Sequence, residues 1–135
     1  MTNKRVHPEA LHSTEGFGYS HIAVQTVGRV IHVAGQTAWD KDMNLVGGSD
    51  HGLQARQALS NLKDALAAVS ANPADVVRMR TYVVSPDEST LMSVVGEINA
   101  FYGDAEPAPN TFLAIAGLAM PDFLVEIEVT AALAD

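Results

Sequence analysis

Along Leu124 to Thr130 apolar and polar residues alternate, so Val125, Ile127 and Val129 point to one side of a strand and Glu126, Glu128 and Thr130 to the other. A second apolar run, Thr111 to Ala116, precedes it across a loop marked by Gly117 and Pro121, which predicts two strands near the C-terminal end. Val76 to Val84 alternates as well, with Val77, Met79, Thr81 and Val83 on one face and Arg78, Arg80 and Tyr82 on the other. Ser20 to Thr26 and Val30 to Gln36 predict a hairpin around Val27-Gly28-Arg29. Its apolar face would carry Ile22, Val24, Ile31 and Val33, and its opposite face His21, Ala23, Gln25, His32, Ala34 and Gln36.

The period changes twice. Leu53, Leu59, Leu62, Leu66 and Val69 recur at helical spacing, with Ser49 or Asp50 able to cap the start and Asn72-Pro73 to stop the end. Leu91, Val94, Val95, Ile98 and Phe101 or Tyr102 predict a second helix that Gly103 ends. Ser85-Pro86-Asp87-Glu88 before it has capping-box spacing between Ser85 and Glu88. Residues 1 to about 18 show no period and read as an arm, closed by Glu15-Gly16-Phe17-Gly18-Tyr19. The resulting class is α+β, a two-layer sandwich with two helices on one face of the sheet. The opposite sheet face, mixed in character, is expected to be buried against another subunit, so a homo-oligomer is predicted.

Composition narrows the function. The chain has 135 residues and is expected to be one domain, residues 1–135, with a single core. No apolar run approaches the ~20 residues needed to span a bilayer, and no export signal stands at the start, so no membrane partner and a cytoplasmic location are expected. With no cysteine there is no disulfide, thiolate nucleophile or thiolate metal site. Eight basic residues against sixteen acidic ones, a net charge of −8, argue against nucleic acid as a partner, since such binding draws on cations at phosphates.

Candidate chemistry is sparse. No HExxH, CxxC, phosphate-binding glycine loop or GxSxG elbow is present, and the hairpin pairing predicted above sets His21 and His32 too far apart to share a metal, so no metal is expected. Phe17, between two glycines, and Trp39, the sole tryptophan, are candidates for pocket walls or for ordinary packing. Glu126 and Glu128 share a face and disfavour each other's ionisation, or else pair with Arg78 and Arg80 in an interface.

Several stretches together point to a family. Tyr19, the hairpin end Ala34-Gly35-Gln36, the helix segment Gln54 to Leu62, the strand entry Asp75-Val76-Val77 and the closing Val125-Glu126-Ile127-Glu128 resemble the Rid (YjgF-like) reactive-intermediate deaminase family over nearly the whole chain. The resemblance implies a chorismate-mutase-like fold with a mixed sheet, assembled as a homotrimer with a site in each cleft between subunits. It also implies hydrolysis of small imine and enamine metabolites, such as those made by pyridoxal-phosphate enzymes, to ammonia and a 2-oxo acid, without metal or organic cofactor. Carried over by position, Tyr19 lines the cleft, Gly35 offers backbone groups to the substrate, and Glu126 positions the attacking water.

Two positions depart from the pattern. Deaminating members carry an arginine in a Pro-Ala-Arg-Ser-like segment, whose guanidinium grips the substrate carboxylate; here the segment is Pro107-Ala108-Pro109-Asn110-Thr111, with Asn110 at the equivalent position. An amide lacks the charged two-pronged grip. A hydroxyl residue that often precedes the glycine is replaced by Ala34. Altered substrate preference is therefore expected, with a catalytically silent binding or interaction module as the alternative, and Arg80 as either a substitute anchor or an interface salt-bridge partner. The ribonuclease activity attributed to some relatives fits the acidic balance poorly.

Overall fold

The computed structural model describes residues 3–25 and 28–134. Six strands and two helices follow one another as β1 (Lys4–Val6), β2 (Ile22–Val24), β3 (Gly28–Gln36), α1 (His51–Ala67), β4 (Val76–Val84), α2 (Glu88–Tyr102), β5 (Asn110–Ile115) and β6 (Val125–Ala134), with a short 3-10 turn at Pro73–Asp75 before β4. The main sheet has the order β3-β6-β4-β5. Among the described residues only β4 and β5 run parallel, joined by the crossover through α2, and β6 pairs antiparallel with both β3 and β4.

The C-terminal alternation holds: Val125, Ile127 and Val129 are buried while Glu126, Glu128 and Thr130 are half-buried on the opposite face. Both helices cover the first face. Leu59, Leu62 and Leu66 of α1 and Val94, Ile98 and Phe101 of α2 pack with Met79, Val83, Val125 and Ile127 in one core. The two-layer α+β sandwich with a mixed sheet is therefore the observed class, and among the described residues no helix covers the face bearing Arg80, Tyr82, Glu126 and Glu128.

Local differences from the sequence reading have identifiable causes. The expected hairpin of 20–26 with 30–36 is absent among the described residues: β2 pairs antiparallel with β1, inside what had read as an arm, and β3 pairs with β6. Of the expected turn, Val27 lies outside the described residues, while Gly28 and Arg29 belong to β3. Alternation sorts faces but does not choose a partner. Ile22 and Val24 are accordingly exposed instead of buried, whereas Ile31 and Val33 do pack against the core. In β4 a bulge at Val77 sets Val76, not Val77, into the core.

Helix α1 is capped by Asp50, whose side chain accepts from Leu53 N at 2.9 Å. Helix α2 starts two residues later than the capping box read from Ser85 and Glu88. Asp87 is the cap, paired reciprocally with Thr90, and Ser85 sits before Pro86 at φ 41°, outside the helix.

Candidate functional site

Opposite the end of β3 the sheet departs from regular pairing. Val33 faces Val129 and Gln36 faces Ile127, so three steps on β3 match two on β6 and the extra residue falls at Ala34-Gly35. Such a bulge re-aims whatever lies beside it. A β carbon on Gly35 would stand 2.6 Å from Glu126 Oε2, so the glycine is what lets the carboxylate lie against the β3 backbone. The Glu126 carboxyl has its pKa raised, first by burial and then by the nearby charge of Glu128.

Rows of side chains define the open face. Tyr82 is opposite Glu126 in the β4–β6 register, and Arg80 is opposite Glu128. The Tyr82 hydroxyl donates to Glu128 Oε1 at 2.9 Å, and this hydrogen bond is the main reason its pKa is raised. Arg80 Nη1 lies 3.7 Å from Glu128 Oε2, beyond hydrogen-bonding distance.

Glu126 opens into a cleft of about 670 Å³ shared with Gly35, Trp39, Gln57, Asn61 and Phe123. Helix α1 shapes this cleft. Asn61 Nδ2 donates to the carbonyls of Thr37 at 3.1 Å and Trp39 at 2.8 Å, while Gln57 Nε2 donates to Asn61 Oδ1 at 2.9 Å and fixes the amide's orientation. The Trp39 indole packs edge-on against Phe123, centroids 5.0 Å apart. One turn earlier, the fully buried Gln54 donates to Gly48 O and Asp122 O and accepts from Leu124 N, clamping both loops that lead to the cleft.

Of the residues read from sequence, the chain brings together Gly35, Trp39 and Glu126. Ala34 lies exposed in the bulge beside them. Tyr19 stands apart, its hydroxyl bonded to His12 Nε2 at 2.5 Å, in a second cavity of about 730 Å³ with His7, Asn99 and Glu106. His21 donates to the His12 carbonyl, at 2.9 Å, beside it. Phe17 is half exposed between Gly16 and Gly18, both at positive φ. Asn110 is paired with Met79 and accepts from the buried Thr81 hydroxyl at 3.1 Å, so its amide is turned to the helix side. Its neighbour Thr111 instead accepts from Arg78 Nη2. Gln57, Asn61 and Phe123 were not singled out from sequence as cleft residues. Gln54, Gln57 and Asn61, at i, i+3 and i+7, do form a polar stripe inside an apolar helix pattern, and that stripe was the available signal.

A cleft beside an irregular β3 end, with a glutamate on the open face of a two-layer α+β sandwich, defines a class of small α+β proteins. The family model described as Endoribonuclease L-PSP matches residues 10–133. Among solved structures the fold is similar to YyfB of Yersinia pestis, described as a protein of unknown function of the Rid family, with 45% identity and a TM-score of 0.95 over 98% of this chain and 100% of that one. It is also similar to Rv2704 of Mycobacterium tuberculosis, of the YjgF/YER057c/UK114 family, with 30% identity and a TM-score of 0.64 over 98% and 100%. The YjgF product of E. coli matches at 26% identity and a TM-score of 0.68, over 79% and 83%. The chain belongs to the Rid (YjgF-like) family. No helix among the described residues is long and apolar enough to cross a membrane.

Proposed function

We propose that this protein hydrolyses small reactive imines or enamines, or handles related carbonyl metabolites, with Glu126 as its acid/base residue and a substrate preference unlike that of arginine-bearing relatives. The observation that carries the reading is the Glu126 carboxylate laid against the Gly35 backbone at the mouth of a cleft walled by Trp39. A partly buried carboxyl whose pKa is raised can both accept and return a proton.

In the balanced step an imine takes up one water and yields a carbonyl compound and ammonia, with no change of oxidation state. Glu126 orients the water and takes its proton as oxygen bonds to the imine carbon. The proton returns to nitrogen to give a carbinolamine; Glu126 then takes the hydroxyl proton and passes it to the amino nitrogen, the C–N bond breaks as the carbonyl forms, and ammonia leaves. In this reading, backbone groups at the Ala34-Gly35 bulge hold the polarised substrate, and the register shift that sets them beside Glu126 supports that role.

In this reading the protein is a cytoplasmic homotrimer. The sheet face that no helix covers among the described residues supports an assembly in which Tyr19, Phe17 and the segment at Asn110 complete a neighbour's cleft. The second reading, a silent small-molecule-binding module, draws support from Asn110, whose amide is turned to Thr81 and away from the open face. Ammonia release from enzymatically generated imines, wild type against Glu126→Gln, separates the two. Acceleration lost in the variant supports turnover; no acceleration with acidic, neutral or basic imines supports the binding module.

A further inference from the structure

We infer that Arg80 is the residue with which this chain holds a substrate carboxylate, gripping it from β4 instead of from the segment before β5. The inference rests on reading the cleft at Glu126 as an imine-processing site. Three observations carry it. Arg80 lies on the same face as Glu126 and one side-chain row away, opposite Glu128, a step of about 7 Å along a strand. Its guanidinium makes no hydrogen bond among the described residues, and its ion pair to Glu128 is long, at 3.7 Å, with the side chain half exposed. Glu128 is already occupied on its other oxygen by the Tyr82 hydroxyl, so it steadies Arg80 by charge without saturating its donors.

The alternatives on this face fare worse. Arg78 is two rows from Glu126, opposite Thr130, and spends its Nη2 on Thr111. Asn110 has neither charge nor the right direction. A planar fork of five donors matches a carboxylate, which a lysine or an amide cannot reproduce.

The probe is 2-oxobutanoate, a stable 2-oxo acid, with propanal as a neutral carbonyl of similar size, titrated into the full-length protein by NMR. Wild type should bind the oxo acid more tightly than propanal. Arg80→Ala should weaken oxo-acid binding roughly 10- to 100-fold and leave propanal unchanged, Arg80→Lys should fall between, and Arg78→Ala should match wild type. Should Arg80→Ala not fold, Arg80→Lys alone carries the comparison. Equal binding by wild type and the Arg80 variants, loss in Arg78→Ala instead, or no preference of wild type for the acid would overturn the inference. Failure of the hydrolase reading looks different: the oxo acid binds through Arg80, yet no imine is turned over faster.

Discussion

Gly35 and Glu126 cannot both carry a side chain where they stand: a β carbon at 35 would sit 2.6 Å from Oε2 and 2.9 Å from Cγ of the glutamate. The atoms in the way belong to the end of a side chain that can swing aside. Gly35→Ala should therefore cost the fold little and the site much. We expect a melting temperature within a few degrees of wild type and a drop in imine hydrolysis of about 100-fold or more, since misplacing a catalytic group by about 1 Å has effects of that order. Full activity in the alanine variant would show that Glu126 need not lie against β3.

Glu126 also predicts a pH signature. Its folded-state pKa is raised, so the folded chain binds its proton more tightly than the unfolded chain does. The stability this contributes is complete below the unfolded pKa and is lost as pH rises through the folded pKa. Thermal melts from pH 4 to 8 should show Glu126→Gln gaining on wild type as pH rises through that window. A constant difference would rule the linkage out.

On the proposed hydrolysis, catalysis would follow the same group in the other sense. With the carboxylate accepting water's proton, kcat should rise with pH through the raised Glu126 pKa. Glu128→Gln removes the second cause of the shift and leaves burial, the first. The acid limb of kcat should move to lower pH without reaching the ordinary glutamate value. An unmoved limb would mean that Glu128 acts only through Tyr82 and Arg80.

Apart from β1, which lies in a stretch without a period, the strands and helices were legible because each carries one clear apolar period. β6 alternates through Val125, Ile127 and Val129, and α1 repeats leucine at 59, 62 and 66. Pairing was less so, because Ile22 and Val24 alternate equally well whether they join β3 or, as found, the polar β1. Bulges escaped entirely: one extra residue at Val77 or at Ala34-Gly35 leaves the alternation on either side intact. That is why Glu126 and Gly35 could be named singly while their contact could not. The direction of Asn110 follows from its parallel pairing with Met79, a long-range register that local sequence does not encode.

Gln54 tests how far the cleft depends on the helix beneath it. It is fully buried, and its amide satisfies three backbone groups: Gly48 O at 2.7 Å, Asp122 O at 2.9 Å and Leu124 N at 2.8 Å. Gln54→Leu fills the volume but leaves those groups without partners, at about 1 kcal/mol or more each. We expect a loss of about 3 kcal/mol or more and a melting temperature lower by roughly 10 °C. A variant within about 2 °C of wild type would show that water replaces the amide.

Asn61 should govern Trp39 in a way that fluorescence can read, because Trp39 is the only tryptophan. The Asn61 amide bonds two carbonyls of the loop, one of them that of Trp39, and Gln57 holds the amide in that orientation. Asn61→Ala removes the tether while the edge-on contact with Phe123 remains. The loop should loosen at a cost of about 1 to 2 kcal/mol, since solvent can reach the freed carbonyls. Trp39 emission should shift to longer wavelength and its anisotropy fall, and, on the proposed hydrolysis, KM for an imine should rise more than kcat drops, because Trp39 walls the cleft without touching the proposed proton transfer at Glu126. Gln57→Ala should show the same changes in weaker form. Unchanged emission in both variants would place the control of Trp39 in its packing on Phe123.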